Sequence, residues 1–374
     1  MIWNTAKLGD VCFIQSGNSI AAKKKTELFT NVVGTPYIAT KDVDFNGSIN
    51  YKNGIYIPQE YVNSFKISQS GSTLVCAEGG SAGRKIAFSM NDCCFGNKLF
   101  SITPNSSLDA KYIYYYTLNE EFQSQFKAAL HGLIGGVSLK KIKEFTISIP
   151  PLSEQQCIVA KLDAAFAEID KSIEALSSNL IGCELLKLRC IRDEFTAPIA
   201  EHHLNFSDVC ELKRGYDLPK RQRKKGKFPL FSANGITDYI NESKIEAPGV
   251  VTGRSGTIGE VHYTDKDFWA LNTALYVKNF KGNLPKYIFY FLKSFDLKSF
   301  SSGAGVPTLN RNVLSDQIVS INIKQVEQKR TIDKLDSIID NIEKLKTFIY
   351  EKKGNYIALK SAILQQELKQ SEAA

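Results

Sequence analysis

The amino-acid sequence contains an internal repeat, and this feature constrains the fold more than any other. Five short anchors occur in the same order in both halves of the chain. Paired first half with second half, they are residues 8–12 with 206–210, 80–83 with 256–259, 111–116 with 286–291, 137–139 with 307–309, and 154–163 with 327–336. Two copies of one structural unit are therefore predicted.

Each copy begins with a stretch that is typical of a globular domain. Short β-branched and aromatic runs, separated by glycine and asparagine, predict strands near residues 35–39, 72–77, 250–252 and 275–278. The aromatic runs at 114–116 and 289–291 are predicted to be core residues, because they lie among other apolar residues. The pattern indicates an α+β fold for both copies.

Each copy ends in a long helical pattern. The first is predicted to start after Pro150-Pro151, with Ser153 as the N-cap and Gln156 completing a capping box. At about 1.5 Å per residue, some forty residues give a helix of roughly 60 Å. Apolar residues recur every three or four positions: Ile158, Leu162, Phe166, Ile169, Ile173, Leu176 and Leu180 in the first helix, and Ile332, Leu335, Ile339, Ile342, Leu345 and Ile349 in the second.

An apolar stripe of this length needs a partner helix, and the two long helices are the nearest candidates for each other. The first helix leads into the second globular block and the second helix leaves it, so the pair is predicted to be antiparallel. The expected fold is α+β, with two similar globular domains joined by two antiparallel coiled-coil helices and related by a pseudo-twofold axis. The predicted segments are 1–150, 151–196, 197–323 and 324–374.

The net charge of +8 is concentrated in the two globular blocks. Residues 1–150 carry 15 Lys and Arg against 11 Asp and Glu, and residues 197–323 carry 17 against 12. Two similar basic units at a fixed separation suit a polyanion with two different half-sites, such as duplex DNA. A repeat protein that bridges two protein partners is the alternative.

The densest positive charge lies in residues 213–227, which we call the basic segment. Its cationic residues surround one carboxylate, Asp217; they are Lys213, Arg214, Lys220, Arg221, Arg223, Lys224, Lys225 and Lys227. The first copy has a weaker counterpart in Lys23, Lys24 and Lys25. These side chains are candidates for phosphate contacts, which give affinity without sequence information. A flexible solubilising loop is the alternative.

Base-reading side chains must present donors and acceptors to a groove edge, as arginine does to guanine and asparagine to adenine. The best-placed candidates lie beside predicted turns, where a scaffold would expose them. They are Arg84, Lys85, Asn97 and Lys98 in the first copy, and Asn234, Arg254, Ser255 and Asn272 in the second. The neighbouring glycines, Gly83 and Gly256, are explained by tight turns alone.

No pattern in the sequence indicates a metal or a catalytic site. The eight cysteines form no C-x-x-C pair and are interpreted as reduced packing residues. A methyltransferase motif of the Asp-Pro-Pro-Tyr type requires an Asp or Asn directly before a proline, and this sequence has no such pair. Glu211-Leu212-Lys213 imitates a nuclease motif, but its counterpart is Phe13-Ile14-Gln15. No run of eighteen apolar residues occurs, so a cytoplasmic protein without membrane contact is expected.

The segments 253–277, 228–236 and 150–163 resemble the target-recognition and conserved helical signatures of type I restriction-modification specificity (HsdS) subunits. The resemblance covers essentially the whole chain, with two target-recognition domains alternating with two conserved helical regions. The second helix departs from it by lacking the double proline, and residues 44–70 match loosely.

The resemblance implies a non-catalytic subunit that recognises a bipartite, asymmetric site in double-stranded DNA. It implies two methyltransferase (HsdM) subunits bound along the helices and restriction (HsdR) subunits bound through them. No cofactor is expected on this chain, because the methyltransferase subunit would bind S-adenosylmethionine. Two alternatives remain. One is the specificity subunit of a related system that cuts on both sides of its site, and the other is a spacer protein that bridges two protein partners.

Overall fold

A computed structural model describes residues 3–131, 135–196, 203–303 and 307–369. The chain divides into two compact units. Unit 1 is Met1–Glu174 with Lys353–Ala374, and unit 2 is Ala175–Lys352. Each unit therefore contains a globular part and portions of both long helices. Residues 197–202, where the second globular segment was predicted to begin, lie outside the described range.

The globular part of unit 1 is an α+β arrangement. Its strands pair as β2-β9-β6-β7, β4-β3-β8-β5 and β1-β10. The strands are β1 Asn4–Lys7, β2 Cys12–Ser16, β3 Thr35–Ile38, β4 Tyr56–Ile57, β5 Ile67–Ser68, β6 Thr73–Cys76, β7 Ile86–Phe88, β8 Cys93–Phe95, β9 Leu99–Pro104 and β10 Thr146–Ile149. The helices are α1 Leu8–Val11, α2 Ala22–Leu28, α3 Gln59–Val62, α4 Ala110–Leu118, α5 Glu120–Ala129, α6 Leu139–Lys143 and the long α7 Leu152–Thr196.

Unit 2 repeats this plan. Its strands pair as β12-β18-β15-β16, β14-β13-β17, β11-β21 and β19-β20. The strands are β11 His203–Asn205, β12 Glu211–Arg214, β13 Lys225–Ser232, β14 Gly235–Ile240, β15 Gly249–Gly253, β16 Val261–Thr264, β17 Trp269–Ala270, β18 Ala274–Asn279, β19 Ser301–Ser302, β20 Thr308–Leu309 and β21 Ile318–Ser320. The helices are α8 Phe206–Val209, α9 Pro285–Ser294, α10 Arg311–Ser315 and the long α11 Gln325–Glu367.

The main sheets of the two units match strand for strand, which confirms the predicted internal repeat. The second sheet has four strands in unit 1 and three in unit 2, and the pair β19-β20 has no counterpart among the described strands of unit 1. The order β2-β9-β6-β7 corresponds to β12-β18-β15-β16, and the parallel pair β3 with β8 corresponds to β13 with β17. Two sequence anchors need a correction. Gly79, rather than Gly80, corresponds to Gly256, a shift of one residue, and the anchor that pairs 137–139 with 307–309 shifts by two. Ser138 caps α6 and Asn310 caps α10, so Ser138 corresponds to Asn310 rather than to Thr308. Similar residue types at neighbouring positions hid this shift.

The globular cores contain the residues that the apolar runs predicted. Tyr115 and Tyr116 of α4, and Tyr290 and Phe291 of α9, are buried. Cys93 and its neighbour on β8 pack in separate apolar clusters, as expected for successive residues on a strand. Six of the eight cysteines are buried; Cys157 is exposed, against the general packing interpretation, because it lies on an outer face of α7.

A buried glutamine joins each long helix to its globular part. Gln155 of α7 accepts a hydrogen bond from the Asp109 N–H (2.8 Å) and donates to the carbonyls of Ser107 and Pro150. Gln328 of α11 accepts from the Leu284 N–H at the same distance and donates to the Asn322 carbonyl. Both side chains are fully buried. Each glutamine therefore satisfies backbone groups that would otherwise lie unpaired inside the protein.

An aspartate two turns further along each helix adds a second connection. Asp163 accepts from the Lys111 ammonium and the Tyr115 hydroxyl, both at 2.6 Å. In unit 2, Asp336 accepts from Lys286 (2.7 Å) and Tyr290 (2.5 Å) in the same way. These contacts reproduce the sequence repeat atom for atom.

The apolar stripes serve the globular cores as well as the helix pair. Ile158, Leu162 and Phe166 lie in the core of unit 1, which also includes Leu364 of α11 and Leu368 just after its end. In unit 2, Leu176, Leu180 and Cys183 pack on Ile342 and Ile349, Leu335 packs on Ile191, and Ile332 lies in the globular core. Leu345 differs from the prediction, because it is 47% exposed. Helical periodicity identifies an apolar face but not what covers it.

Ion pairs establish the antiparallel direction of the helices within each unit. In unit 1, Lys161 pairs with Glu367 (3.2 Å) and Asp170 with Lys360 (2.7 Å). In unit 2, Glu184 pairs with Lys346, and Lys187 pairs with Glu343 (2.8 Å). As residue numbers rise on α7 they fall on α11. Within the described ranges, no helix combines the length and apolar character needed to cross a membrane.

The start of α7 corrects the predicted cap. The helix begins at Leu152, and the N–H groups of Glu154 and Gln155 donate to the Pro151 carbonyl. Ser153 therefore lies inside the first turn and is not the N-cap. Gln155, rather than the exposed Gln156, is the glutamine with a structural role.

We predict that Gln155→Ala lowers the free energy of unfolding by about 2 kcal/mol or more, because it leaves a buried N–H without a partner. Urea unfolding followed by circular dichroism measures this value. Gln156→Ala is the matched control, since its side chain is exposed on the same turn. Equal effects of the two substitutions would contradict the role assigned to Gln155.

Candidate nucleic-acid interface

Each unit contains a cleft at the same place in the repeat. It is bounded by the end of β2 or β12, the segment that follows β6 or β15, and the residues that lead into the short helix α6 or α10. The cleft of unit 1 has a volume of about 560 Å³ and is lined by residues that include Ser16, Glu78, Asn97, His131 and Ser138. The cleft of unit 2 has a volume of about 310 Å³ and includes Arg214, Arg254, Asn310, Arg311 and Asn312.

Two equivalent glycines bring the first strand into this position. A Cβ atom on Gly17 would lie 2.0 Å from the Phe95 carbonyl oxygen, and one on Gly215 would lie 2.3 Å from that of Ala270. Such distances are impossible for real atoms, so only glycine allows the chain to cross the neighbouring strand this closely. The residue before each glycine, Ser16 or Arg214, is thereby placed at the cleft.

The cleft of unit 2 is cationic. Arg254, a predicted base reader, has its backbone held on both sides: its N–H donates to the Thr273 carbonyl (2.9 Å), and its carbonyl accepts from the Leu309 N–H (2.8 Å). Ser255 follows on the same edge and bridges to Thr308. Arg311 enters from α10 and donates to the Leu212 carbonyl at 3.5 Å. The cleft is thus lined by three arginines.

Asp217 connects two of the predicted contact residues. Its carboxylate lies 3.7 Å from the Arg214 guanidinium and accepts a short hydrogen bond from the Asn272 side-chain amide. All three side chains are at least partly open to solvent. The single acidic residue of the basic segment therefore orients an arginine and an asparagine.

The cleft of unit 1 has different chemistry at the equivalent positions. Ser16 takes the place of Arg214 and Ala77 that of Arg254, because the Ala77 carbonyl accepts from the Val137 N–H as the Arg254 carbonyl does from that of Leu309. Glu78 forms an ion pair with Lys98 at 3.2 Å, and Asn97 beside it is exposed. This cleft presents amide, hydroxyl and imidazole groups in place of guanidinium groups.

The basic segment is more ordered than the predicted loop. It contains a 3-10 turn at Lys220–Gln222 and then enters β13. Arg221, Lys224 and Lys225 are exposed, whereas Arg223 donates to the Leu218 carbonyl at 3.2 Å. These exposed cations remain candidates for phosphate contacts.

The lysines Lys23, Lys24 and Lys25 lie on α2, between β2 and β3, which corresponds to the place of the basic segment between β12 and β13. Lys24 packs 5.9 Å from the Phe29 and Tyr61 rings, and Lys25 lies 5.5 Å from the Tyr37 ring. The equivalence inferred from the sequence therefore holds for the position in the fold, although the local structure is a helix.

Six of the eight predicted base readers line neither cleft: Arg84, Lys85, Lys98, Asn234, Ser255 and Asn272. Arg84 and Lys85 both lie over the exposed Phe45 ring, at 5.1 and 5.2 Å. Asn234 lies at the tip of the β13–β14 hairpin, beside Gly235, whose Cβ position is filled by the His262 ring. Burial lowers the pKa of His262, which keeps this ring uncharged at neutral pH.

Sequence reasoning missed Asn310, Arg311 and Asn312. They follow the repeat anchor at 307–309 directly, and an Asn-Arg-Asn run after a repeated turn was the available signal. The anchor itself indicates only how the two copies align, so the repeat does not mark its polar continuation as part of the site.

Comparison with known families gives a match over most of the chain. The family model described as type I restriction modification DNA specificity domain matches residues 2–176 and 204–351. A putative type I specificity subunit of Mycoplasma pneumoniae is 25% identical over 207 residues, which cover 53% of this chain and 76% of that relative. The specificity subunit of the EcoprrI type I restriction enzyme of Escherichia coli is 24% identical over 131 residues, 34% of this chain and 32% of that protein.

Solved structures share the fold. A chain from a study of complex assembly and conformational transition of the type I R-M system superposes with a TM-score of 0.76, at 16% identity and with 98% of each chain covered. The HsdS subunit from Thermoanaerobacter tengcongensis gives a TM-score of 0.54 at 17% identity, with 98% of this chain and 96% of that chain covered. The predicted α+β repeat with long helices is therefore confirmed.

We predict different effects for the two kinds of cation in unit 2. Arg254→Ala should cost about 1 to 3 kcal/mol at one base-pair position, because a base contact is lost. Changing Lys224 and Lys225 together to alanine should weaken binding to all duplexes nearly equally and flatten the salt dependence. Competition binding with single-position sequence variants at several salt concentrations measures both. An unchanged base preference in the Arg254 variant would refute its assignment.

Proposed function

Because the chain belongs to the type I restriction-modification DNA specificity family, we propose that it recognises a two-part, asymmetric DNA sequence and directs partner enzymes to it. The observation that carries this proposal is the pair of equivalent clefts with different linings. Equivalent positions give both units the same way of approaching a duplex. Different linings give each unit its own bases.

Affinity and selectivity come from different parts of each unit. The exposed cations of the basic segment, with Lys23, Lys24 and Lys25 in unit 1, contact phosphates and attract any duplex. The cleft residues then contact base edges and select the sequence. This division explains why the densest positive charge lies outside the clefts.

The paired helices provide the binding surface for partner subunits. In unit 2, Ile181, Leu185 and Leu188 are 65%, 62% and 52% exposed and follow one another at helical spacing on α7. They lie outside the cluster that packs α7 on α11. Exposed apolar side chains in a row are typical of a surface that another protein covers. Two methyltransferase subunits bind the helices in this proposal, and restriction subunits join through them.

Catalysis belongs to the partners. The methyltransferase subunits bind S-adenosylmethionine, take the target adenine out of the duplex and transfer the methyl group. Both charged residues of the nuclease-like tripeptide contact side chains of their own unit. Glu211 pairs with Lys278 at 3.2 Å, and Lys213 lies 5.8 Å from the Tyr216 ring. The complex acts on DNA in the cytoplasm.

We predict that the purified full chain transfers no methyl group from S-adenosylmethionine to DNA, and that adding the methyltransferase subunits of its own system starts the transfer. A radiolabelled methyl donor and a random duplex pool detect this directly. In parallel, duplex binding by the chain should weaken steeply as salt rises. Methyl transfer by the chain alone, or no duplex binding even at low salt, would overturn the proposal; the second result is expected of a spacer protein.

A further inference from the structure

The position of Asp217 poses a physical problem for a DNA-binding surface. It is the single carboxylate among the cations of the basic segment, and its side chain is 71% exposed. A carboxylate there repels phosphates and lowers the affinity for any duplex. An exposed pair such as Asp217 with Arg214 adds little to stability. A role in orienting its neighbours accounts for its presence better than either affinity or stability.

The contacts of Asp217 determine what Asn272 can present. An ionised carboxylate only accepts hydrogen bonds, so the atom of Asn272 that faces it must be the amide nitrogen. This orientation leaves the Asn272 oxygen and its second N–H available. One acceptor beside one donor is the pattern that pairs with the N6 amino group and N7 of adenine.

The same carboxylate restrains Arg214. The guanidinium is held 3.7 Å from Asp217 at the edge of the cleft, and Gly215 fixes the backbone that carries it. A guanidinium that keeps its remaining N–H groups free and its plane restrained suits the two acceptors of guanine, O6 and N7. Ser16, at the equivalent position of unit 1, cannot make this contact.

We propose that Asp217 is a specificity-determining residue, which holds Asn272 and Arg214 so that they read an adenine and a guanine in the half-site bound by unit 2. This inference rests on the proposed function. Asp217 itself contacts no base; it acts as a positioning residue through its two neighbours. It gives up some affinity for all DNA in return for discrimination between sequences.

The test compares Asp217→Asn with the unsubstituted full chain, using duplexes selected from a random pool and scrambled versions of them. The dissociation constant for the scrambled duplex divided by that for the selected duplex should fall by about 10- to 100-fold. The affinity for the scrambled duplex should stay equal or rise. A merely structural role would lower both affinities together. Asp265→Asn is the matched control, because it removes an exposed carboxylate from the turn after β16 in the same unit; its ratio should not change.

Single substitutions assign the bases. Asn272→Ala should remove the preference at one adenine and Arg214→Ala at one guanine, and Asp217→Asn should weaken both preferences together. An unchanged ratio in Asp217→Asn, or an equal loss of affinity for all duplexes, would overturn the inference while leaving the proposed function intact. If the unsubstituted chain shows no salt-dependent duplex binding, the proposed function fails instead.

Discussion

The buried hydrogen bonds of Gln155 and Gln328 are the interaction on which each unit depends. Each glutamine lies near the start of a long helix and satisfies backbone groups of the globular part that water cannot reach. Two turns along each long helix, Asp163 accepts hydrogen bonds from a lysine and a tyrosine of α4, and Asp336 accepts them from a lysine and a tyrosine of α9. A globular part connected in this way has a fixed orientation on its helix, so the cleft that it carries also has one.

The repeat separates what is shared from what differs. Both units share the strand order of the main sheet, the close glycines Gly17 and Gly215, and the glutamine connection. The cleft linings differ, since the three arginines of unit 2 correspond to a serine, an alanine and a leucine in unit 1. A common scaffold with different side chains is the arrangement expected of a protein that distinguishes two half-sites, because affinity from phosphates alone would discriminate neither.

Much of the fold could be predicted from the sequence, because it depends on local periodicity and on the repeat. The long helices, the strands near 72–77 and 250–252, and the buried aromatic runs follow from patterns within a few residues. The site could be predicted only in part. Arg214, Arg254 and Arg311 meet through tertiary packing across about a hundred residues of chain, and no local pattern records that. The pairing of Asp217 with Asn272 joins residues 55 positions apart, so the sequence shows Asp217 only as one carboxylate among cations.

The central claim is that two differently lined clefts read two different DNA sequences. The most direct test is to select duplexes from a fully random pool with the unsubstituted full chain and to sequence those that it retains. The account predicts one motif with two unlike parts at a constant separation. The base pairs that lie between the two parts should show no sequence preference. A single uninterrupted motif, two identical parts, or retention without any motif would contradict it.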